Sequence, residues 1–257
     1  MKRKIILICA IVCAIMALWF IVRMIPKTKE PTVAVEPTVT EPEAPEEEAE
    51  PGPYVSPVDF DYWQGECADI YAWLSIPGTD ISYPVVQHPT EYEYYLNRDI
   101  YGQSSADGAL FTQCGFNGLD FTDPVTVIYG HRRNNGAMFG QLQPLYLGDQ
   151  DFSDRNMLVI YLPDKELHYQ IFACVPHSNE HILYWYDFSK EEDYQRFLDS
   201  VYDLTDSAAN YDMSAAATTD DTLLILSTCL KTNRTNRFLV IGKLVETVDT
   251  GPSEATP

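Results

Sequence analysis

Seven short apolar runs, each closed by turn-forming residues, leave this chain few ways to fold. They read "DISYPVVQ", "GALFTQ", "PVTVIYGH", "NMLVIYLP", "LHYQIFACVPH", "DTLLILST" and "RFLVIGKLV". Runs of this length, rich in Val, Ile, Tyr and Phe and bounded by Gly, Pro, Asn and Asp, are the pattern of β-strands. One long amphipathic segment interrupts them, "KEEDYQRFLDSVYDL" from Lys190 to Leu204. Its Tyr194, Phe197, Leu198, Val201 and Leu204 form one stripe, and Ser189 is a candidate N-cap ahead of Glu191 and Glu192. A single helix inserted among seven or more strands predicts a mainly β domain, either a closed barrel or a sandwich. Before the strands, "DYWQGECADIYAWLSIPG" places Trp63, Cys67, Ile70 and Leu74 at helical spacing, which predicts a helix ended by Pro77-Gly78. "NNGAMFGQLQPLY" predicts a further short helix.

The N-terminal quarter has another character. Lys2, Arg3 and Lys4 precede Ile5–Val22, a run of 18 residues without a charge. A helix of that length spans about 27 Å, close to the thickness of a hydrocarbon core. Trp19 and Phe20 lie at its far end, where interfacial aromatics sit. The following "FIVRMIPKTKE" has no small-x-small cleavage site, so an uncleaved signal anchor is expected over residues 1–25 rather than a removed signal peptide. The short basic tail favours a cytoplasmic N-terminus and an exported remainder, although Arg23, Lys27 and Lys29 weaken the charge asymmetry. Residues 26–57 hold eight prolines and a glutamate-rich stretch from Glu36 to Glu50, the composition of an extended extracellular tether. The folded domain is expected over 58–247, and 248–257 is read as a disordered tail.

The net charge of −21 argues against nucleic acid as a partner, because binding phosphate needs a basic face. Cys9 and Cys13 fall in the apolar run, while Cys67, Cys114, Cys174 and Cys229 fall in the exported part. Their spacing matches no zinc pattern, and there is no carboxylate cage for calcium, so no metal or other cofactor is expected. Cys67, Cys114 and Cys174 sit among apolar or aromatic neighbours and read as buried small hydrophobes, with a disulfide between two of them the alternative in an oxidising compartment.

Cys229 is different. It ends the apolar run "LLILST", at the rim of a sheet, and only a thiolate attacks, so an activating base and a cation are needed. Among five histidines, His131 ends "VTVIYG" before the polar turn "RRNNG", again at a strand rim. His88, His168, His177 and His181 read as surface or packed residues. Arg237 opens the strand eight residues beyond Cys229, and Arg234 lies in the loop between. Either guanidinium would offer fixed donors to a developing oxyanion.

"TLLILSTC", followed by "RFLVIGKLV", resembles the catalytic signature of sortases. "VTVIYGHRRNNGAMFGQL" is similar to the histidine segment of class B, and "WLSIPGTDISYPVVQ" and "YYLNRDIYGQSSADGALFTQ" resemble that class in order and spacing. The resemblance runs from about Trp63 to Val245 and includes the helix inserted before the cysteine strand. It implies a closed eight-stranded sortase-type barrel with an N-terminal helix. It also implies Cys229 as nucleophile, His131 as general acid/base and Arg237 as oxyanion and substrate stabiliser, with Leu96, Tyr129, Ser227 and Thr228 along the substrate groove. "EYEYYL" has Tyr92 and no asparagine where the family often has one.

The implied activity is that of a membrane-anchored cysteine transpeptidase with its catalytic domain extracellular. It would cleave the C-terminal sorting signal of a surface protein after Thr, through a thioacyl-enzyme, and pass the protein to an amine of a peptidoglycan precursor of the lipid II type. The alternatives are a pilin-polymerising class B sortase and a catalytically silent, membrane-tethered surface binding protein. A papain-like peptidase has the opposite order of cysteine and histidine. An L,D-transpeptidase resembles Ser-x-Gly-Cys-x-Arg, whereas Thr228 precedes this cysteine.

Overall fold

The computed structural model describes residues 54–249. The expected anchor, 1–25, and all but the last four residues of the expected tether, 26–57, lie outside them. Among the described residues no helix is long and apolar enough to cross a membrane.

Helix α1, Phe60–Glu66, opens the domain, with the Asp59 carboxylate accepting from the Tyr62 N–H at 3.0 Å. It stops at Cys67, whose backbone is extended. Ile70 and Leu74, expected on the same helix, belong instead to strand β1, Ile70–Ser75. The error has a physical source. Ile70, Tyr71 and Ala72 are all buried, so the start of the strand lacks alternation, and its near-continuous apolar run imitates helical spacing. Strands β2 (Ser82–Val86), β3 (Leu110–Phe111) and β4 (Val125–Tyr129) follow. Then come α2 (Leu142–Tyr146), β5 (Met157–Tyr161) and the long β6 (Lys165–His177). The short α3 (Ile182–Trp185) and the amphipathic α4 (Glu191–Tyr202) precede β7 (Asn210–Tyr211), β8 (Leu223–Cys229) and β9 (Arg237–Asp249).

The strands run β5-β1-β2-β3-β4-β8-β9-β6, and β5 also pairs with β6, so eight strands close on themselves. The two-residue β7 hangs from β6 outside the ring. Closure removes the free edges along which open sheets aggregate. The architecture is the closed, mainly β barrel expected. β9 continues through Val248 and Asp249, paired with Glu166 and Lys165. Val248 and Asp249, expected in the tail, are therefore strand residues, and residues 250–257 lie outside the described ones.

Strand β8 shows why its sequence is apolar without alternation. Leu224 and Leu226 join Ile128, Phe238 and Val240 in one buried cluster, while Leu223 and Ile225 join Val125, Val127, Leu239 and Ile241 in another. Tyr194, Phe197, Leu198 and Val201 of α4 complete the second cluster, so the predicted stripe is what seals that face. Each such side chain removed from water stabilises the fold by about 1.5–3 kcal/mol. The helix begins one residue after the expected start. Ser189 does not cap it; its hydroxyl donates to Asp187 at 2.6 Å, and Lys190 stands at the N-cap position without a capping bond, its ammonium paired with Asp187 instead.

Candidate active site

Cys229 ends β8 on the face that Leu223 and Ile225 turn toward α4, two alternate positions beyond Ile225. In the antiparallel pairing of β8 with β9, Cys229 stands directly opposite Arg237. Paired residues in a sheet point to the same face, and the Arg237 guanidinium donates from Nη1 toward the Cys229 sulfur across 3.9 Å. The mid-loop Arg234 makes no such approach and lines a different cavity.

The histidine arrives from a segment 98 residues earlier. β4 pairs in parallel with β8, with Tyr129 beside Ser227. Two residues further along each strand are His131 and Cys229. The Thr228 hydroxyl donates to the Gly130 carbonyl at 2.7 Å, and the Gly130 N–H donates to the Ser227 carbonyl at 3.1 Å, tying the two strand ends together. Gly130 has to be glycine. A Cβ there would overlap the Leu110 side chain and meet Phe139 Cδ2 at 2.7 Å. His131 Nε2 lies 2.7 Å from the Leu96 carbonyl. A carbonyl only accepts, so Nε2 carries the hydrogen and Nδ1 is the basic nitrogen of the neutral ring.

Gln143, buried on α2, holds the backbone of the cysteine. Its Nε2 donates to the Cys229 carbonyl and its Oε1 accepts from the Lys231 N–H, both at 2.9 Å. Sequence reading missed this residue. Its segment, "FGQLQPLY", holds two amides, Gln141 and Gln143, and only the fold shows which of them binds the cysteine backbone.

Two cavities meet at Cys229. The first, of about 240 Å³, is lined by Leu96, Tyr129, Ser227 and Thr228, with Cys229, His131 and Arg237 also in its wall. Every expected groove residue thus borders it. Ser227 and Thr228 are themselves buried, and the Thr228 hydroxyl is already spent on Gly130. Tyr129 stacks on Phe111 at 5.6 Å, and its hydroxyl is buried with no partner. Burial pushes that phenol's pKa up, opposed by the positive charge of Arg237, so it remains a hydrogen-bond donor at neutral pH.

His181, expected to be a surface or packed residue, lines this same cavity. Its Nε2 pairs with the Gln113 Oε1 at 2.6 Å, its ring packs on Phe116 at 4.5 Å, and its Nδ1 is buried without a partner. Burial holds its pKa below the ordinary imidazole value, against the opposing pull of a backbone hydrogen bond and Glu93. The ring is therefore neutral at pH 7, with Nδ1 an acceptor. A contribution from the β6–α4 connection carries no local sequence mark. The remaining histidines are packed or paired: His88 stacks on Tyr94 at 4.2 Å, His168 bonds Glu166 at 2.7 Å, and burial lowers the pKa of His177.

Cys67, Cys114 and Cys174 are free, so the alternative of a disulfide among them is not realised. Cys174 is fully buried, and burial pushes its thiol pKa well up, which leaves it inert. Among the described residues no group of three or more His, Cys, Asp or Glu is placed to hold a metal ion.

Comparison with known proteins agrees with this geometry. Residues 74–245 match the sortase domain family model. Sortase B of Staphylococcus aureus is 30% identical over 182 residues, which cover 69% of this chain and 71% of that protein. The fold matches Clostridium perfringens sortase B with a TM-score of 0.63 at 23% identity, over 72% of this chain and 99% of that one. It also matches a Streptococcus pyogenes class B sortase involved in pilus biogenesis, with a TM-score of 0.59 at 26% identity, over 73% and 98% of the two chains. Sequence and fold together assign the chain to the sortase family of cysteine transpeptidases, and within that family to class B.

Proposed function

We propose that this sortase cleaves the C-terminal sorting signal of a surface protein after threonine and joins the new carboxyl end to an amine of a peptidoglycan precursor. The observation that carries the reading is the Cys229–Arg237 pair, opposed in register with Nη1 3.9 Å from the sulfur, in a cavity shared with His131. Cys229 attacks the threonine carbonyl. Arg237 donates to the oxyanion that forms, a role worth about 10²–10³ in rate for a single well-placed donor. His131, with Nε2 committed to Leu96, protonates the leaving amine from Nδ1 and later takes a proton there from the incoming one. Leu96, Tyr129, Ser227 and Thr228 border the path of the signal peptide, and the unpartnered Tyr129 hydroxyl and His181 Nδ1 supply one donor and one acceptor to it. An anchor over residues 1–25 and a tether over 26–57 would hold the domain outside the cell, beside a lipid-linked acceptor, and so raise the effective concentration of both substrates.

A second reading, polymerisation of pilins, draws support from the fold shared with the S. pyogenes enzyme. The two differ in the acceptor: a precursor amine in one case, a pilin lysine in the other.

The test incubates the full-length chain, in mild detergent, with peptides carrying Pro-x-Thr-Gly or Pro-x-Thr-Asn. The expected result is a thioacyl adduct on Cys229 by mass spectrometry and cleavage after threonine, both lost in Cys229→Ala and reduced in Arg237→Ala. A folded protein whose Cys229 forms no adduct with any of the peptides would sink the proposal in favour of a silent binding protein.

A further inference from the structure

A second cavity also borders Cys229. It measures about 420 Å³ and shares His131 and Cys229 with the first. Arg237 is in the wall of the first cavity only, and Arg234 in the wall of the second only. A residue that protonates a leaving amine and deprotonates an incoming one requires both amines on its own side of the thioester. In the transpeptidase reading proposed above, the acyl half of the donor lies by Arg237. The amines therefore come and go through the cavity that extends past His131 away from Arg237.

That cavity has a charge unlike the rest of the molecule. The chain carries 38 acidic against 17 basic residues, and Glu93 and Glu180 line the first cavity. No carboxylate lines the second, whereas Arg132, Arg133 and Arg234 do. Arg133 is already neutralised, with Nε 2.5 Å from the Asp107 carboxylate and Nη1 donating to the Ala106 carbonyl at 3.0 Å. Arg132 donates to the neutral Asn134 amide oxygen at 3.1 Å, and Arg234 has no ion pair or side-chain hydrogen bond among the described residues. Two guanidiniums thus stand uncompensated beside the thiol in a strongly acidic protein. Guanidinium is the group that best binds carboxylate or phosphate through paired donors.

We propose that this cavity is the acceptor site, and that Arg132 and Arg234 select an amine carrying a carboxylate or phosphate group on the same molecule. The inference rests on the transpeptidase reading above. In the step itself the amine nitrogen attacks the thioester carbonyl. The C–N bond forms, the C–S bond breaks with its electron pair returning to the Cys229 sulfur, and the proton lost by nitrogen passes to His131 Nδ1.

The experiment acylates the full-length chain on Cys229 with a signal peptide and then offers matched amines. Glycylglycine is compared with glycylglycinamide, and phosphoethanolamine with ethanolamine, reading amide product per mole of thioester. An anionic amine is expected to outcompete its neutral partner by about tenfold at low salt, the preference shrinking as salt rises. The pair showing the larger ratio tells carboxylate from phosphate. Arg132→Gln with Arg234→Gln is expected to abolish the ratio, and Arg132→Lys with Arg234→Lys to keep part of it. Equal rates for charged and neutral amines, or a preference that survives the double glutamine variant, would overturn the inference while leaving the transpeptidase intact. Failure to form any thioester would overturn both.

Discussion

Replacing Gln143 by leucine tests whether Cys229, the proposed nucleophile, is held by its backbone. Leucine is close to glutamine in size and opens little space on α2, so the loss is mainly polar. Two hydrogen bonds of 2.9 Å disappear, one to the Cys229 carbonyl and one from the Lys231 N–H. Each is worth about 1 kcal/mol net, and a stranded buried partner costs up to about 3 kcal/mol. Lys231 is exposed, so water recovers its N–H. The Cys229 carbonyl faces the buried amide and recovers less. The sum is about 2–3 kcal/mol, which in a domain of this size lowers Tm by roughly 4–12 °C. Activity falls further than stability alone requires, because releasing the turn after Cys229 lets the sulfur drift from Arg237. A misplacement near 1 Å costs about a hundredfold in rate. Calorimetry reads the first effect, and single-turnover thioester formation, measured well below Tm, reads the second. Gln143→Glu keeps the acceptor for Lys231 but turns a carboxylate oxygen toward the Cys229 carbonyl, and loses at least as much stability. A leucine variant with Tm within about 1 °C of the parent and an unchanged acylation rate would refute the clamp.

Three further outcomes are expected. Gly108, at φ +61, packs where a Cβ would meet the Leu96 carbonyl at 2.7 Å and His131 Cδ2 at 3.3 Å. Gly108→Ala should therefore cost about 1–2 kcal/mol in backbone strain and slow both half-reactions by displacing the carbonyl that orients His131; a fully active variant would rule this out. Thr228→Val removes the bond to Gly130 at fixed shape, and should lower stability by about 1–2 kcal/mol by denaturant titration; no change would show that the strand ends are tied elsewhere. His177 and His181 both have pKa values held down by burial. The unfolded chain therefore binds more protons than the native one below pH ~6.5, and native stability falls as pH drops through that value toward the lower folded pKa values. Tm measured from pH 7 to 5 should fall less steeply in a His177→Gln, His181→Gln double variant than in the parent, and identical slopes would contradict the assignment.

The elements nearest in sequence were the most legible. Cys229 and Arg237 lie on one hairpin, so a strand-end thiol and a strand-start guanidinium were bound to meet once both runs were strands. The α4 stripe was legible for the same reason, since its period is a property of the helix alone. Periodicity failed at Ile70 and Leu74, because the apolar run "IYAWL", buried on both faces at its start, hides the alternation that marks a strand. The rest depends on contacts that no local pattern encodes. The parallel pairing of β4 with β8 brings His131 to Cys229 across 98 residues, and closure of β5 on β6 makes the ring that fixes that pairing. Gln143 and His181 became site residues only through α2 and the β6–α4 connection, because an amide or imidazole takes its chemistry from the groups it faces. So does the sorting of the arginines: Arg237 faces the sulfur and lines the first cavity, whereas Arg132 and Arg234 line the second. Residue types and their periods establish which elements form and which groups are reactive. Which groups share a cavity is a matter of long-range pairing, since that alone sets the distances over which hydrogen bonds and charges act.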